Sequence, residues 1–222
     1  MASAPTGKWT GLALLLVLMG GCDRIPHSSS ASGGTRHGNE WWGLVRENPS
    51  PMQGVDFAWQ VHDAPGPFAE VLARAQYDVV NEDECGYVHP MTGTAMRMTT
   101  SRDVALSRAE SGEYFGTVLL DLLLDGDYYG RGVCRWEFTT LSVVSRATGS
   151  EGETRFTGFM DSAALLDGES LTHYYPAMEY PRVDTYANYP SLGLTELDRF
   201  KPEVRSNTFS SRMSSSGRKH EN

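Results

Sequence analysis

From Val55 to His62 the chain alternates, with Val55, Phe57, Trp59 and Val61 on one side and polar or small residues on the other. Successive side chains of a strand point to opposite faces, so this period of two predicts a half-buried β-strand. The next stretch, "GPFAEVLARAQ", has a different period. Phe68, Val71, Leu72 and Ala75 recur at i, i+3, i+4 and i+7, which is the apolar stripe of an amphipathic helix, and Pro67 suits its first turn. "TAMRMTTS" and "VALSRA" read as strands with a break at Asp103.

The longest patterned unit runs from Gly112 to Ala147. Tyr114 to Leu124 is β-branched, aromatic and apolar, "DGDYYGRG" supplies turn residues, and Val133 to Ala147 is strand-like again. This predicts a long hairpin with an enlarged turn. In its second arm Cys134, Trp136 and Phe138 share one face, while Arg135 and Glu137 face away. Further strands are predicted at Thr154 to Met160 and in "SLTHYYP", and Thr195 with Asp198 in "TELDRF" resembles a capping box opening one helical turn.

Short strands divided by turn signals, with little helix, predict a mainly β fold: an antiparallel β-sandwich or sheet with one or two short helices. Apolar periodicity fades at both ends. "DRIPHSSSASGGTRHGNE", Asp23 to Glu40, has the Ser/Gly content of a flexible tether. "SNTFSSRMSSSGRKHEN", from Ser206, is polar and mildly basic. The predicted division is a single β-rich domain over 41–204 and a disordered tail over 205–222.

The amino terminus carries a different signal. Lys8 is followed by an uncharged apolar run from Trp9 to Gly21. A membrane-spanning helix needs about 20 apolar residues, so this run fits the core of a signal peptide over 1–21. Leu18, Met19, Gly20, Gly21 and Cys22 resemble the lipobox of bacterial lipoproteins, with Met19 where that family usually has Leu. The resemblance implies cleavage before Cys22, lipidation of Cys22 with acyl chains such as palmitate, and a 22–40 tether holding the domain at a membrane in the periplasm. Asp23 resembles the inner-membrane retention signal of enteric bacteria, which leaves inner versus outer membrane open. The other readings are an ordinary secretory signal beside a chance cysteine, or a buried core helix.

With Cys22 lipidated, the remaining pair of Cys85 and Cys134 is even, and an oxidising compartment favours a disulfide between them. Two separate buried thiols are the other reading. No C-x-x-C and no nearby His at ligand spacing point to a metal. The formal net charge is −9, and removing 1–21 takes away only Lys8, leaving 18 basic against 28 acidic residues, or −10. A nucleic-acid surface needs clustered Lys and Arg, so no nucleic-acid partner is expected.

Catalytic signatures are missing from the sequence. There is no G-x-S-x-G, no H-E-x-x-H, no Walker loop and no Gly-rich dinucleotide turn. His62, His89 and His173 come from separate segments and read either as ordinary loop and strand-edge residues or as a convergent site. The carboxylates of "NEDEC" and "LDGD" read as solvated loops, short of a calcium loop. The chain is therefore read as non-enzymatic, with no cofactor and no metal. Tyrosines stand out instead. Tyr128 and Tyr129 at the turn, and Tyr174, Tyr175 and Tyr180 in the Pro-rich stretch 172–193, are candidate contact residues for a protein partner. The same residues suit packing over a sheet edge.

The stretch "YFGTVLLDLLLDGDYYGRGVCRWEF" resembles one in small lipoproteins encoded beside secreted antibacterial effectors. That resemblance implies an immunity protein that binds an incoming toxin, and it designates no site residue. Two other functions fit the sequence: a structural or assembly lipoprotein of the envelope, and a hydrolase whose site converges only in space.

Overall fold

The computed structural model describes residues 45–218; the predicted signal peptide, Cys22 and the 22–40 tether lie outside the described residues. In chain order the strands are β1 (Gly54–His62), β2 (Glu70–Val79), β3 (Thr99–Val104), β4 (Ser107–Arg108) and β5 (Tyr114–Leu119), then β6 (Trp136–Arg146), β7 (Arg155–Asp161), β8 (Ser170–Pro176), β9 (Pro190–Ser191) and β10 (Thr208–Ser215). The helices are short: α1 (Glu82–Cys85), α2 (Ser162–Asp167) and α3 (Pro202–Arg205). One sheet has the order β4-β5-β1-β10-β8 and the other β3-β2-β6-β7-β9. All ladders are antiparallel except the short parallel pairing of β9 on β7. The fold is thus mainly β, as the periodicity predicts.

The core follows the alternation. Val55, Phe57 and Trp59 of β1 are buried against Ala73, Ala75 and Tyr77 of β2 and Leu141 and Val143 of β6. Each large apolar side chain buried this way contributes about 1.5–3 kcal/mol. Cys134, Trp136 and Phe138 are buried while Arg135 and Glu137 are exposed, as their shared face requires. A second cluster joins Phe156, Tyr175 and Phe209, with Phe68 and Tyr180 packed against it.

Five local expectations are overturned. The predicted helix after Pro67 is the ten-residue strand β2. Its flanking strands β3 and β6 satisfy both backbone edges, and Ala73, Ala75 and Tyr77 supply an inward face of period two. Tertiary pairing here outweighs the helical propensity of Glu, Leu, Ala, Arg and Gln. The predicted hairpin is also absent: β5 pairs with β1 and β4, and β6 with β2 and β7, so the two arms belong to different sheets. Leu122 and Leu124 instead exchange backbone bonds with Asn48 and Arg46, and only one bridge, Gly126 to Cys134, joins the two arms. Asp103 lies inside β3, and the break falls at 105–106, where the chain crosses from one sheet to the other.

The predicted disordered tail over 205–222 contains β10, a central strand held between β1 and β8. Phe209 and Met213 face the core, and Ser211 between them is small enough to be buried. The domain boundary at 204 therefore moves to include at least Ser215. The turn at "TELDRF" is a 3-10 helix, Leu197–Arg199, whose N-cap is Glu196 with no side-chain capping bond.

The registers define two ends of the sandwich. At one end Tyr77 Oη donates to Leu119 O, and Ser215 Oγ donates to Leu165 O of α2. The segment that starts at Val45, the Cys85–Cys134 region and Arg218 also lie here. At the other end Phe68 packs against Phe156, Phe209 and Tyr180. The two long sides differ as well. On one, 190–194 is stitched to both sheets, through β9 on β7 and through Leu194 to Tyr174 of β8. On the other, among the described residues, β3 has a ladder only with β2, and the seam between the sheets stays open.

Candidate functional site

The open seam forms a groove of about 830 Å³ between β3 and β5. Its apolar surface comes from Phe57, Val104, Leu106, Phe115, Leu119 and Leu122. Gly116 makes room for it: a Cβ there would come within 2.8 Å of the Phe57 ring. The glycine lets Phe57 lie flat against β5 and become part of the groove. Phe115 points out of the sheet and is 41 % exposed.

The charged groups on the rim are already bonded within the fold. Arg102, on the inward face of the edge strand β3, pairs with Glu47 of the N-terminal segment. An inward-pointing charge on an edge strand is a known guard against indiscriminate pairing. Asp103 pairs with Arg74 at 2.9 Å, and Asp56 accepts from Thr117 Oγ1 at 2.7 Å. Burial pushes the Tyr77 phenol up to about 12, so it stays neutral and donates to Leu119 O at 2.6 Å. The charged rim is thus bonded internally, which leaves apolar contact and the backbone edge of β3 as the groove's unspent capacity.

Of the predicted site residues, Cys85 and Cys134 are joined in a disulfide, with Cα atoms 5.3 Å apart. The link braces a small lobe. Arg131 donates through Nη2 to Asp83 O at 3.1 Å and through Nη1 to Gly86 O. Asn81 donates to Val133 O at 3.0 Å and accepts from Arg135 N at 2.8 Å. Asp127 Oδ1 accepts three successive amides, from Tyr129, Gly130 and Arg131, which fixes the turn. Cys22 lies outside the described residues.

The candidate tyrosines are not brought together. Tyr128 and Tyr129 sit at the end where the described chain begins, and Tyr174, Tyr175 and Tyr180 toward the opposite end. The "DGDYYGRG" turn and the 172–193 stretch therefore do not make one contact surface. Tyr128 is 8 % exposed, accepts from Trp136 Nε1 at 2.8 Å and donates to Leu124 O at 3.2 Å. Tyr175 is 1 % exposed, and its hydroxyl lies 3.2 Å from Ser211 Oγ. These two are packing residues, contrary to the contact role. Tyr180 is partly buried, donates to Pro67 O at 2.6 Å and stacks its edge on Phe68. Tyr129 is half-buried beside Tyr87, and Tyr174 is half-buried in β8. Burial raises the phenol pKa of Tyr128, Tyr129, Tyr175 and Tyr180 alike.

The histidines also stay apart. His62 ends β1, His89 lies in the disulfide lobe with Nδ1 accepting from Met91 N, and His173 is buried between the sheets. Among the described residues no three His, Cys, Asp or Glu side chains are placed to hold one metal ion, and no helix is long and apolar enough to cross a membrane.

Sequence reasoning missed Glu47, Arg102, Phe115 and the seam itself. The alternation in β5 does place Phe115 opposite to Val118, but nothing local says that a neighbouring strand will be missing. Comparison with protein-family models, with curated proteins and with solved structures finds no match. What fold and site define is a class: an acidic, disulfide-bonded, two-sheet β domain with one closed and one open side.

Proposed function

We propose that this chain is a lipid-anchored, periplasm-facing binding protein of the bacterial envelope that acts as an immunity-type inhibitor of a secreted antibacterial effector, without catalysis of its own. The observation that carries the reading is the seam groove. It joins an apolar floor to the backbone edge of β3, which no strand among the described residues pairs, and its charged rim is satisfied internally. An extended segment of a partner adds a strand to such an edge through main-chain bonds and places alternate side chains in the groove. The net charge, −10 once residues 1–21 are removed, favours a basic segment and speeds its capture. The lipobox resemblance of Leu18 to Cys22 supplies the anchor in this reading.

The test is a protection assay. A deletion strain is challenged by sibling cells and complemented with the wild-type chain or with Phe115→Asp. Phe115 is exposed, so the variant is expected to accumulate normally yet fail to restore protection. A deletion strain fully resistant to every sibling-delivered effector overturns the immunity role, and an envelope defect in that strain favours a structural one.

A further inference from the structure

A different face of the molecule carries a second site. On the outer face of the second sheet, a cleft of about 440 Å³ is lined by Leu72, Val144, Leu192 and three arginines, Arg74, Arg146 and Arg155. The register explains its layout. Leu72 lies opposite Val144 and Val144 opposite Thr157, so one row across β2, β6 and β7 is apolar with a Thr at its end. Leu72 of β2 and Leu192, just after β9, are 45 % and 55 % exposed, so both present apolar surface to the cleft.

The next row toward the strand ends is charged. Ser145 pairs with Phe156, so Arg146 and Arg155 stand opposite each other on neighbouring strands. Like charges directly opposite are destabilising in a sheet. Glu70 pairs with Arg146 through Nε. Arg155 gives its Nε to the Asn188 carbonyl at 3.3 Å, and no described carboxylate lies within ion-pair distance of it. Arg74 likewise uses Nε, toward Asp103. In all three, the Nη ends make no hydrogen bond within the described fold. A guanidinium fork binds a carboxylate or phosphate through two parallel bonds, and a pair of forks on one spot is a strong oxyanion acceptor.

We infer that this cleft binds a small amphiphilic oxyanion: a carboxylate or phosphate ester held by Arg146 and Arg155, with a short apolar body lying over Leu72, Val144 and Leu192. The two adjacent arginines focus on one anionic group, and the volume is that of a small-ligand pocket. Both features fit a free small molecule better than a bilayer or a long acidic segment, which would use charges spread over the face. The site is independent of the seam groove and does not rest on the function proposed for it.

The test uses the full chain as the cell processes it, held in nanodiscs of zwitterionic lipid, with empty nanodiscs as the blank. Hexyl phosphate and hexanoate are titrated by calorimetry beside hexanol, inorganic phosphate, an acidic peptide and vesicles of anionic lipid. Saturable binding of both hexyl anions is expected, with hexanol and inorganic phosphate weaker by about tenfold or more. Arg155→Gln is expected to weaken the anions by about tenfold, the loss of one charge-assisted contact, and Leu192→Ser to weaken them as well. Both positions are exposed, and an unchanged melting temperature verifies that the fold is intact; if Arg155→Gln melts early, Arg155→Lys keeps the charge, removes the fork and is expected to show the same loss. No binding of the hexyl anions, wild-type affinity in the Arg155 variants, equal affinity for inorganic phosphate, or binding only to the peptide or the anionic vesicles overturns the inference.

Discussion

His173 Nε2 accepts a hydrogen bond from the backbone N–H of Phe159 at 3.2 Å, so a side chain of β8 seals part of the β7 edge that the two-residue β9 leaves uncovered. The acceptor nitrogen must be unprotonated, which puts the proton on Nδ1. That atom is buried without a partner in the described fold. Around it, Gly158 leaves a small polar niche: a Cβ there would lie 3.3 Å from His173 Nδ1, 3.4 Å from Tyr175 Oη and 3.5 Å from Ser211 Oγ.

This arrangement makes stability depend on pH. Burial lowers the His173 pKa from its ordinary 6.5. The unfolded chain takes up a proton near pH 6.5 and the folded chain does not. The stability contribution is therefore complete above pH 6.5 and falls as the pH drops from there to the folded pKa, by at most about 1.4 kcal/mol per unit. Urea unfolding between pH 8 and pH 5 is expected to show this fall. His173→Gln, which keeps an acceptor for Phe159 N–H, is expected to flatten it, and an unchanged slope in the variant refutes the assignment.

Asp78 gives an acid limb at lower pH. Its carboxylate accepts from Gln76 Nε2 at 2.9 Å and from Thr139 Oγ1, and pairs with Arg97 at 3.0 Å. Burial alone would raise its pKa, but the bonds from Thr139, Gln76 and Thr99 and the Arg97 charge outweigh it and hold it below 3.8. The contribution is present above pH 3.8 and is lost as the pH falls through the folded pKa. Asp78→Ala is expected to cost about 1–2 kcal/mol at pH 7, because it removes the shared acceptor of the half-buried Gln76 and Thr139 donors. Denaturant titration at pH 7 and pH 3 reads both effects, and the cost should shrink at the lower pH.

Breaking the disulfide by replacing Cys85 and Cys134 together with Ala is expected to cost roughly 4 kcal/mol by the loop-entropy model, given a separation of 49 residues. Hydrogen exchange should quicken first in α1 and around Arg131, where the lobe depends on the link. Equal melting temperatures with and without reductant for the wild-type chain would contradict this.

Ending the chain at Ser206 removes β10 and leaves β1 and β8 with no strand between them. Truncation there is expected to abolish cooperative unfolding, read by circular dichroism on heating. A truncated chain with a wild-type transition would mean that the first sheet can close without its central strand.

The two arginine-bearing sites show how little of the functional surface is local. Arg102 sits opposite Ala75 and meets Glu47 across the seam, and Arg146 lines one cleft with Arg155 of the neighbouring strand. None of these pairs has a sequence spacing that announces it. The tyrosines are conspicuous in sequence, yet Tyr128 and Tyr175 turn inward, since a phenol with a bonded hydroxyl packs as well as it docks.

The inward faces of β1 and of the Cys134–Phe138 segment and the mainly β character are legible in the sequence, and the cysteine count favours the Cys85–Cys134 link that the structure shows. Those follow from side-chain alternation and cysteine count, which are local or arithmetical. Only the tertiary structure decided that "EVLARAQYDV" is a strand, that β5 and β6 part into different sheets, and that a Ser-rich segment forms a central strand. Backbone N–H and C=O groups bond alike whatever side chain they carry, so strand partners are chosen by long-range packing and closure, and side-chain alternation alone leaves that choice open.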